Sequence, residues 1–256
     1  QYAAHFHYFK SIIEAALEQG HTLELLLLKG RHNLPEYMES IDIFKRNFRD
    51  FSYDWAKTRS TGLWRMILFL ARDISNYRRY LLIEMETPHY RERIKKALPF
   101  WLRLLANFGW FRAFLKSKFV GKILQGVENL TPPWPRILED IKKRAPDLLI
   151  ATPVNMRRGS EASDLEYLKA ARLLGLPSVL PIVSWDNLTT KGNFHIWPDL
   201  FLIWNQQQFK ESVKYHNLPA EKLRIMGAML FDGWFSEYKP SLSRELFYSK
   251  YNLDSS

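Results

Sequence analysis

The sequence predicts an α/β fold, a doubly wound parallel sheet carrying a large helical insertion. Three observations lead there. Between Trp134 and Ala228, short and nearly continuous apolar runs alternate with stretches of helical periodicity. Near the chain start, a helical pattern runs directly into one more apolar run. Between these regions, residues 35–130 keep helical periodicity nearly throughout.

Taken in order, "HYFKSIIEAALEQG" has apolar residues at helical spacing and closes on Gly20, a good helix terminator. "HTLELLLLKG" then reads as a short buried strand. The zone from Pro35 to Leu130 reads as three to five helices, punctuated by Pro88, Pro99 and "TPPWP". In "TGLWRMILFLARDISNYRRYLLIEME", large apolar residues gather on one side and arginines on the other. The last zone alternates: "PDLLIATP" as strand, "SEASDLEYLKAARLLG" as helix, "LPSVLPIVS" as strand, "PDLFLIWN" as strand, "QQQFKESVKYHN" as helix and "KLRIMGA" as strand. Right-handed crossovers would place helices on both faces of such a sheet. The predicted division is residues 1–34 and 131–232 for the α/β domain, 35–130 for a basic, aromatic-rich helical insertion, and 233–256 for a linker and the start of a truncated second domain.

The composition narrows the chemistry. The chain has 256 residues and no Cys, which excludes disulfides and thiolate chemistry and fits the cytoplasm. No signal-peptide pattern is visible, nor an apolar run of about 18 residues. The first residue is not Met and the end follows an apparent helix, so the sequence reads as a fragment. The net charge of +10 comes from the middle: residues 42–125 hold 18 Lys and Arg against 7 Asp and Glu. From Arg93 to Val127 there are eight basic residues and no acid. Interleaved with Trp, Phe and Leu, this block suits an anionic surface, membrane phospholipid or nucleic acid, through Arg103, Arg112, Lys116, Lys118 and Lys122. A solvated helical face is the plainer alternative.

Loops leaving the carboxyl ends of parallel strands line the ligand crevice in this architecture. "ATPVNMRRGSE", "SWDNLTTKG" and "WNQQQ" are those loops here. They offer Asn155, Arg157, Arg158 and Ser160; then Ser184, Trp185, Asp186, Asn187 and Lys191; then Asn205. Asp186 and Asn187 suit sugar hydroxyls, Trp185 a pyranose face, and Lys191 with Arg157 and Arg158 a phosphate. Asp186 and Asn187 equally suit a side-chain-capped turn, Trp185 a core plug, and the two arginines a solvated loop. His5 and His7 precede the first helix, where a neutral imidazole could serve as general base. They also read as half-buried histidines among aromatic neighbours. P-loop, dinucleotide-binding, nucleophile-elbow and zinc-protease patterns are missing, and the seven His are too scattered for a zinc site.

Together these stretches resemble the N-terminal, Rossmann-like half of a GT-B-type glycosyltransferase. "HFHYFKSIIEAALEQGHTLELLLL", "PDLLIATP", "AARLLGLPSVLPIVSWDN" and "HNLPAEKLRIMGAMLFD" carry the resemblance, over residues 1–30 and 134–256. "SWDNLTTKG", "PDLFLIWNQQQFKES" and "GAMLFDGWF" resemble a narrower group of bacterial two-domain proteins of that type. The resemblance implies an acceptor-binding half, with the nucleotide-sugar donor held mainly by a second domain and the acceptor a glycan or lipid-linked sugar of surface polysaccharide synthesis. It implies His5, with His7 second, as base, no metal and no cofactor, and a cytoplasmic location, peripheral on the inner membrane face. Sugar-nucleotide 2-epimerases and polyol-phosphate polymerases share the half-domain pattern. A basic membrane- or nucleic-acid-binding module without catalysis is the third reading.

Overall fold

Among the described residues all strand pairs are parallel. The computed structural model describes residues 3–30, 33–59, 62–83, 89–152, 163–236 and 238–253. A 3-10 turn, Ala3–Tyr8, leads into α1 (Lys10–Glu18), which stops where Gly20 takes a φ of +83°. A side chain there would be strained, so the predicted terminator has a conformational cause. β1 (Leu23–Leu27), α2 (Pro35–Asn47) and β2 (Phe51–Trp55) follow as a parallel unit, with Leu25 opposite Tyr53.

The helical region comprises α3 (Leu63–Leu82), α4 (His89–Lys95), α5 (Phe100–Leu105), α6 (Gly109–Lys116) and α7 (Lys118–Leu130). Residues 51–55 lie inside the zone read from sequence as helical, yet they form β2. Among the described residues the succession of helices without a strand therefore begins at Leu63 rather than at Pro35. α8 (Pro135–Arg144) leads back to β3 (Leu149–Ile150), α9 (Ser163–Leu174), β4 (Ser178–Pro181), β5 (Leu200–Ile203), α10 (Gln206–His216) and β6 (Leu223–Ile225). The sheet order is β3-β4-β5-β6. After β6 come a 3-10 turn at Met229–Phe231, α11 (Asp232–Ser236) and α12 (Arg244–Tyr251). The chain is thus mixed α/β with small parallel sheets.

Two cores matter for function. Leu180, Phe201 and Ile203 of the four-stranded sheet are fully buried, together with Leu188, Phe194 and Ile196 from the loop after β4. That loop is therefore anchored in the core at three points. The helical region has its own core, where Tyr77 of α3 meets Leu102, Phe111, Leu115 and Val120. Leu70, Ile74 and Leu81 join from the same stripe of α3, spaced at three to four residues. A different stripe of α3, Arg72, Asn76 and Arg79, faces the α/β part, as their bonds below show.

Candidate functional site

Strand direction brings the loops after β4 and β5 to one edge, and side chains tie them together. Trp204 Nε1 donates to the carbonyl of Ile182 at 2.6 Å, and Gln208 Nε2 donates to Ser184 at 3.4 Å. Asn205 caps α10, its Oδ1 accepting from the backbone of Gln208 at 3.0 Å. Of the first predicted loop, Asn155, Arg157, Arg158 and Ser160 lie outside the described residues.

The Val183–Gly192 loop is organised by its own polar side chains. Asn187, 1% exposed, accepts at Oδ1 from the backbone N–H of Val183 and Ser184 at 3.3 and 3.0 Å. Asp186 accepts from the hydroxyls of Ser184 and Thr190 at 2.6 and 2.7 Å and pairs with Lys191 at 3.2 Å. Partial burial raises the proton affinity of Asp186, but those hydroxyls and Lys191 outweigh it and hold its pKa below the ordinary value. Its carboxylate is ionised at neutral pH and acts as an acceptor. Trp185 is the contrast: 72% exposed, its indole stands at the surface of the same loop. The loop is thus a capped turn with one aromatic face presented outward.

The carbonyls of this loop are gripped from the helical region. Arg79 donates to Leu188 at 2.5 Å and to Lys191 at 2.7 Å, and also to Tyr215 at 3.3 Å. The Tyr80 hydroxyl lies 3.0 Å from the Thr189 carbonyl and 2.8 Å from that of Lys191. Arg93 donates to Thr190, and Asn76 accepts from the backbone of Asn193 at 2.7 Å. His216 Nε2 lies 2.7 Å from the Leu188 carbonyl, and burial, followed by the charge of Arg79, pushes its pKa well down. The imidazole is therefore neutral, with Nε2 between the Leu188 carbonyl and, at 3.2 Å, Nη2 of Arg79.

A buried ion cluster lies at the same edge, under the first turns of α9. Arg72 meets Glu128 in a two-pronged contact, 2.8 Å on each arm. Lys169 Nζ sits 2.9 Å from Glu128 as an ion pair without hydrogen-bond alignment. Glu166 accepts from Arg59 at 2.8 Å and from the backbone of Trp134 at 3.2 Å, with Arg72 at 3.5 Å. Burial alone would raise the pKa of Glu128, but the Arg72 hydrogen bonds and charge, with Lys169, bring it to about 2. His195, partly buried and in the field of this cluster, is pulled down to about 4, by burial first. A hollow beside the cluster, lined by Thr58, Arg65, Leu68, Phe69 and Ser163, has about 10 Å3, the room of one water molecule. Three cations face two carboxylates in this cluster, which joins α3, α7, α9 and the loop after β2.

His5 and His7 lie on the 3-10 turn before α1. Phe6 of that turn shares a core with Met229 and Val183, so the turn reaches the start of the β4 loop. His5 is partly buried and His7 exposed, with His7 and Tyr8 ring centroids 4.1 Å apart. In the basic block, Lys116, Lys118 and Lys122 are exposed. Arg112 instead turns inward to the carbonyls of Ala106 and Asn107 at 3.3 and 3.2 Å, and Arg103 Nε is buried. The accessible charge of the block is thus its lysines.

Sequence reading passed over Arg59, Arg72, Arg79, Glu128, Glu166, Lys169 and His195. One signal was present: Glu128 is the first acid after a basic stretch that begins at Arg93. Among the described residues no group of three or more His, Asp or Glu could hold a metal ion. Compared with models of known protein families and with curated proteins, the chain matches none.

Proposed function

We propose that this chain is the acceptor-binding half of a GT-B-type glycosyltransferase, built on a doubly wound, Rossmann-like framework. It would present a glycan or lipid-linked acceptor to the anomeric carbon of a nucleotide sugar. The observation that supports this reading best is the exposed Trp185 on the loop that also carries the Asp186–Lys191 ion pair, at the carboxyl edge of a parallel sheet. An indole face packs against the C–H face of a sugar ring, while a carboxylate and an ammonium offer an acceptor and a donor to neighbouring hydroxyls. The resemblance carried by "SWDNLTTKG" and "GAMLFDGWF" supports the same reading.

In this reading the acceptor oxygen displaces the nucleotide diphosphate at the anomeric carbon. The acceptor proton passes to a general base, with His5 the first candidate and His7 the second. Asp186, held ionised and bonded to three neighbours, serves as a fixed acceptor for a hydroxyl rather than as an acid. Asn187 has a scaffold role, because its Oδ1 is occupied by backbone N–H groups.

Saturation-transfer NMR tests the binding step, using the chain with a panel of oligosaccharides and of UDP, GDP and CDP sugars. The expected result is transfer to at least one glycan, lost in Trp185→Ala and weakened several-fold in Lys191→Ala, with thermal midpoints of both variants close to the parent. Absence of transfer to every sugar in the panel would sink the proposal. Nucleotide release on mixing donor and acceptor, abolished by His5→Ala, tests the catalytic half. An epimerised nucleotide sugar or released CMP would redirect it to the epimerase or polyol-phosphate reading.

A further inference from the structure

We propose that the outward faces of α5, α6 and α7 form a docking surface for an anionic phospholipid bilayer. The inference does not rest on the transferase reading.

The three helices bury Leu102, Phe111, Leu115 and Val120 against one stripe of α3, so their other faces turn away from that core. Those faces are not polar, as a solvated helix requires. Trp101 and Leu104 stand on α5, Trp110 and Phe114 on α6, and Phe119 and Ile123 on α7, all of them exposed. Trp110 and Phe119 are each 65% exposed. Scattered surface apolar residues are ordinary, but aromatic residues repeated on three successive helices are not.

Charge selects the occupant. Lys116, Lys118 and Lys122 are exposed among these rings, and residues 93–127 contain no acid. A second copy docked by the same face would bring lysines against lysines, with no carboxylate to match them. Nucleic acid would use stacking rings and guanidinium forks, but Leu104 and Ile123 cannot stack, and Arg112 turns its Nη1 to the carbonyls of Ala106 and Asn107. A bilayer accepts both parts at once: rings and aliphatic chains enter the headgroup boundary, and ammonium groups meet lipid phosphates. The helices have 6, 8 and 13 residues. Among the described residues no helix is long and apolar enough to cross a membrane. The contact is therefore in the plane of the interface.

The test is co-sedimentation of the chain with DOPC vesicles and with DOPC vesicles holding 30 mol% DOPG, roughly the anionic content at which polybasic segments bind. Partition should rise at least about tenfold with DOPG, fall steeply as salt increases, and be accompanied by a blue shift of Trp emission. The double variant Trp101→Ser/Trp110→Ser should lower partition into both vesicle types about tenfold or more. Lys116→Gln/Lys118→Gln/Lys122→Gln should lower it at least about tenfold on DOPG vesicles, to near the DOPC level, and leave DOPC unchanged. All five positions are at least partly open to solvent, so unchanged far-UV circular dichroism is expected of each variant. Three results overturn the proposal: no dependence on DOPG, a concentration-dependent dimer that Trp110→Ser dissociates, or duplex DNA displacing the protein from DOPG vesicles at equal phosphate.

Discussion

Arg79 Nη2 donates to the carbonyl of Leu188 across 2.5 Å, linking positions 109 residues apart. Leu188 is fully buried in the α/β core, and Arg79 sits on the α3 stripe that leaves the helical core. This one contact therefore joins the two parts of the molecule through the backbone of the candidate site loop. Burial lowers the pKa of Arg79, as expected for a cation held by carbonyls and rings rather than by a carboxylate.

Replacing Arg79 with Met keeps most of the packing volume but removes the charged donor from the Leu188 and Lys191 carbonyls, which keep His216 and Tyr80 as their other neighbours. Hydrogen bonds from a charged donor contribute about 1.5–3 kcal/mol each, and removal of a buried cation offsets much of that, so a net loss of about 1–3 kcal/mol is expected. Urea denaturation measures it. Hydrogen exchange locates it: the amides of Thr189 and Thr190, bonded to Asp186 in the parent, should exchange faster. Parental protection of those two amides in Arg79→Met would show that α3 does not hold the loop.

Stability should also fall in two steps as pH is lowered. His195 has a folded pKa of about 4 against an ordinary 6.5. Between these values the unfolded chain binds a proton that the folded chain refuses, so stability is complete above 6.5 and declines toward 4. A shift of that size amounts to about 3 kcal/mol, discounted to about 1–2 kcal/mol because the residue is partly exposed. Glu128 works in the window below: its folded pKa of about 2 lies beneath the ordinary 4.5, so its contribution is present above 4.5 and lost as pH falls toward 2. Urea midpoints at pH 7.5, 5.5 and 4 should decline in sequence; His216, whose pKa burial also lowers, contributes below 6.5 as well, so His195→Gln should flatten the first step in part. A parental slope in His195→Gln would rule out His195 as its source.

Periodicity carries the repeating part of the fold and says little about partners. Leu180, Phe201 and Ile203 sit in apolar runs bounded by turn residues, and those runs are strands. β2 escaped because "FSYDW" alternates apolar and polar residues over only five positions inside a zone of helical spacing; in the fold Phe51 is buried and Asp54 exposed. At the candidate site, Asn187 announced capping chemistry by residue type and caps its own segment, whereas Asn205, read as a ligand-binding residue, caps α10. Glu128, Glu166 and Arg72 were invisible because a charged residue on an amphipathic helix reads as solvent-facing. Only a partner 56 or 107 residues away makes it a core residue.

That cluster gives the sharpest stability prediction. Glu128 is the common partner of Arg72 and Lys169, and its side chain is 5% exposed. Glu128→Gln preserves shape but leaves two buried cations facing a neutral amide, with only Glu166 nearby. Removing one member of a buried pair costs about 3–5 kcal/mol, largely the desolvation of the charge left behind. Arg72→Met on top of Glu128→Gln should recover part of that loss, since one stranded cation is gone. Lys169→Met should recover less, because Lys169 is aligned with the carboxylate only as an ion pair. The measurement is a double-mutant cycle by urea denaturation, with a coupling of at least about 1 kcal/mol expected between Glu128 and Arg72. Additive losses would mean that the two side chains are solvated separately, and that the junction of α3, α7 and α9 is held by its apolar contacts alone.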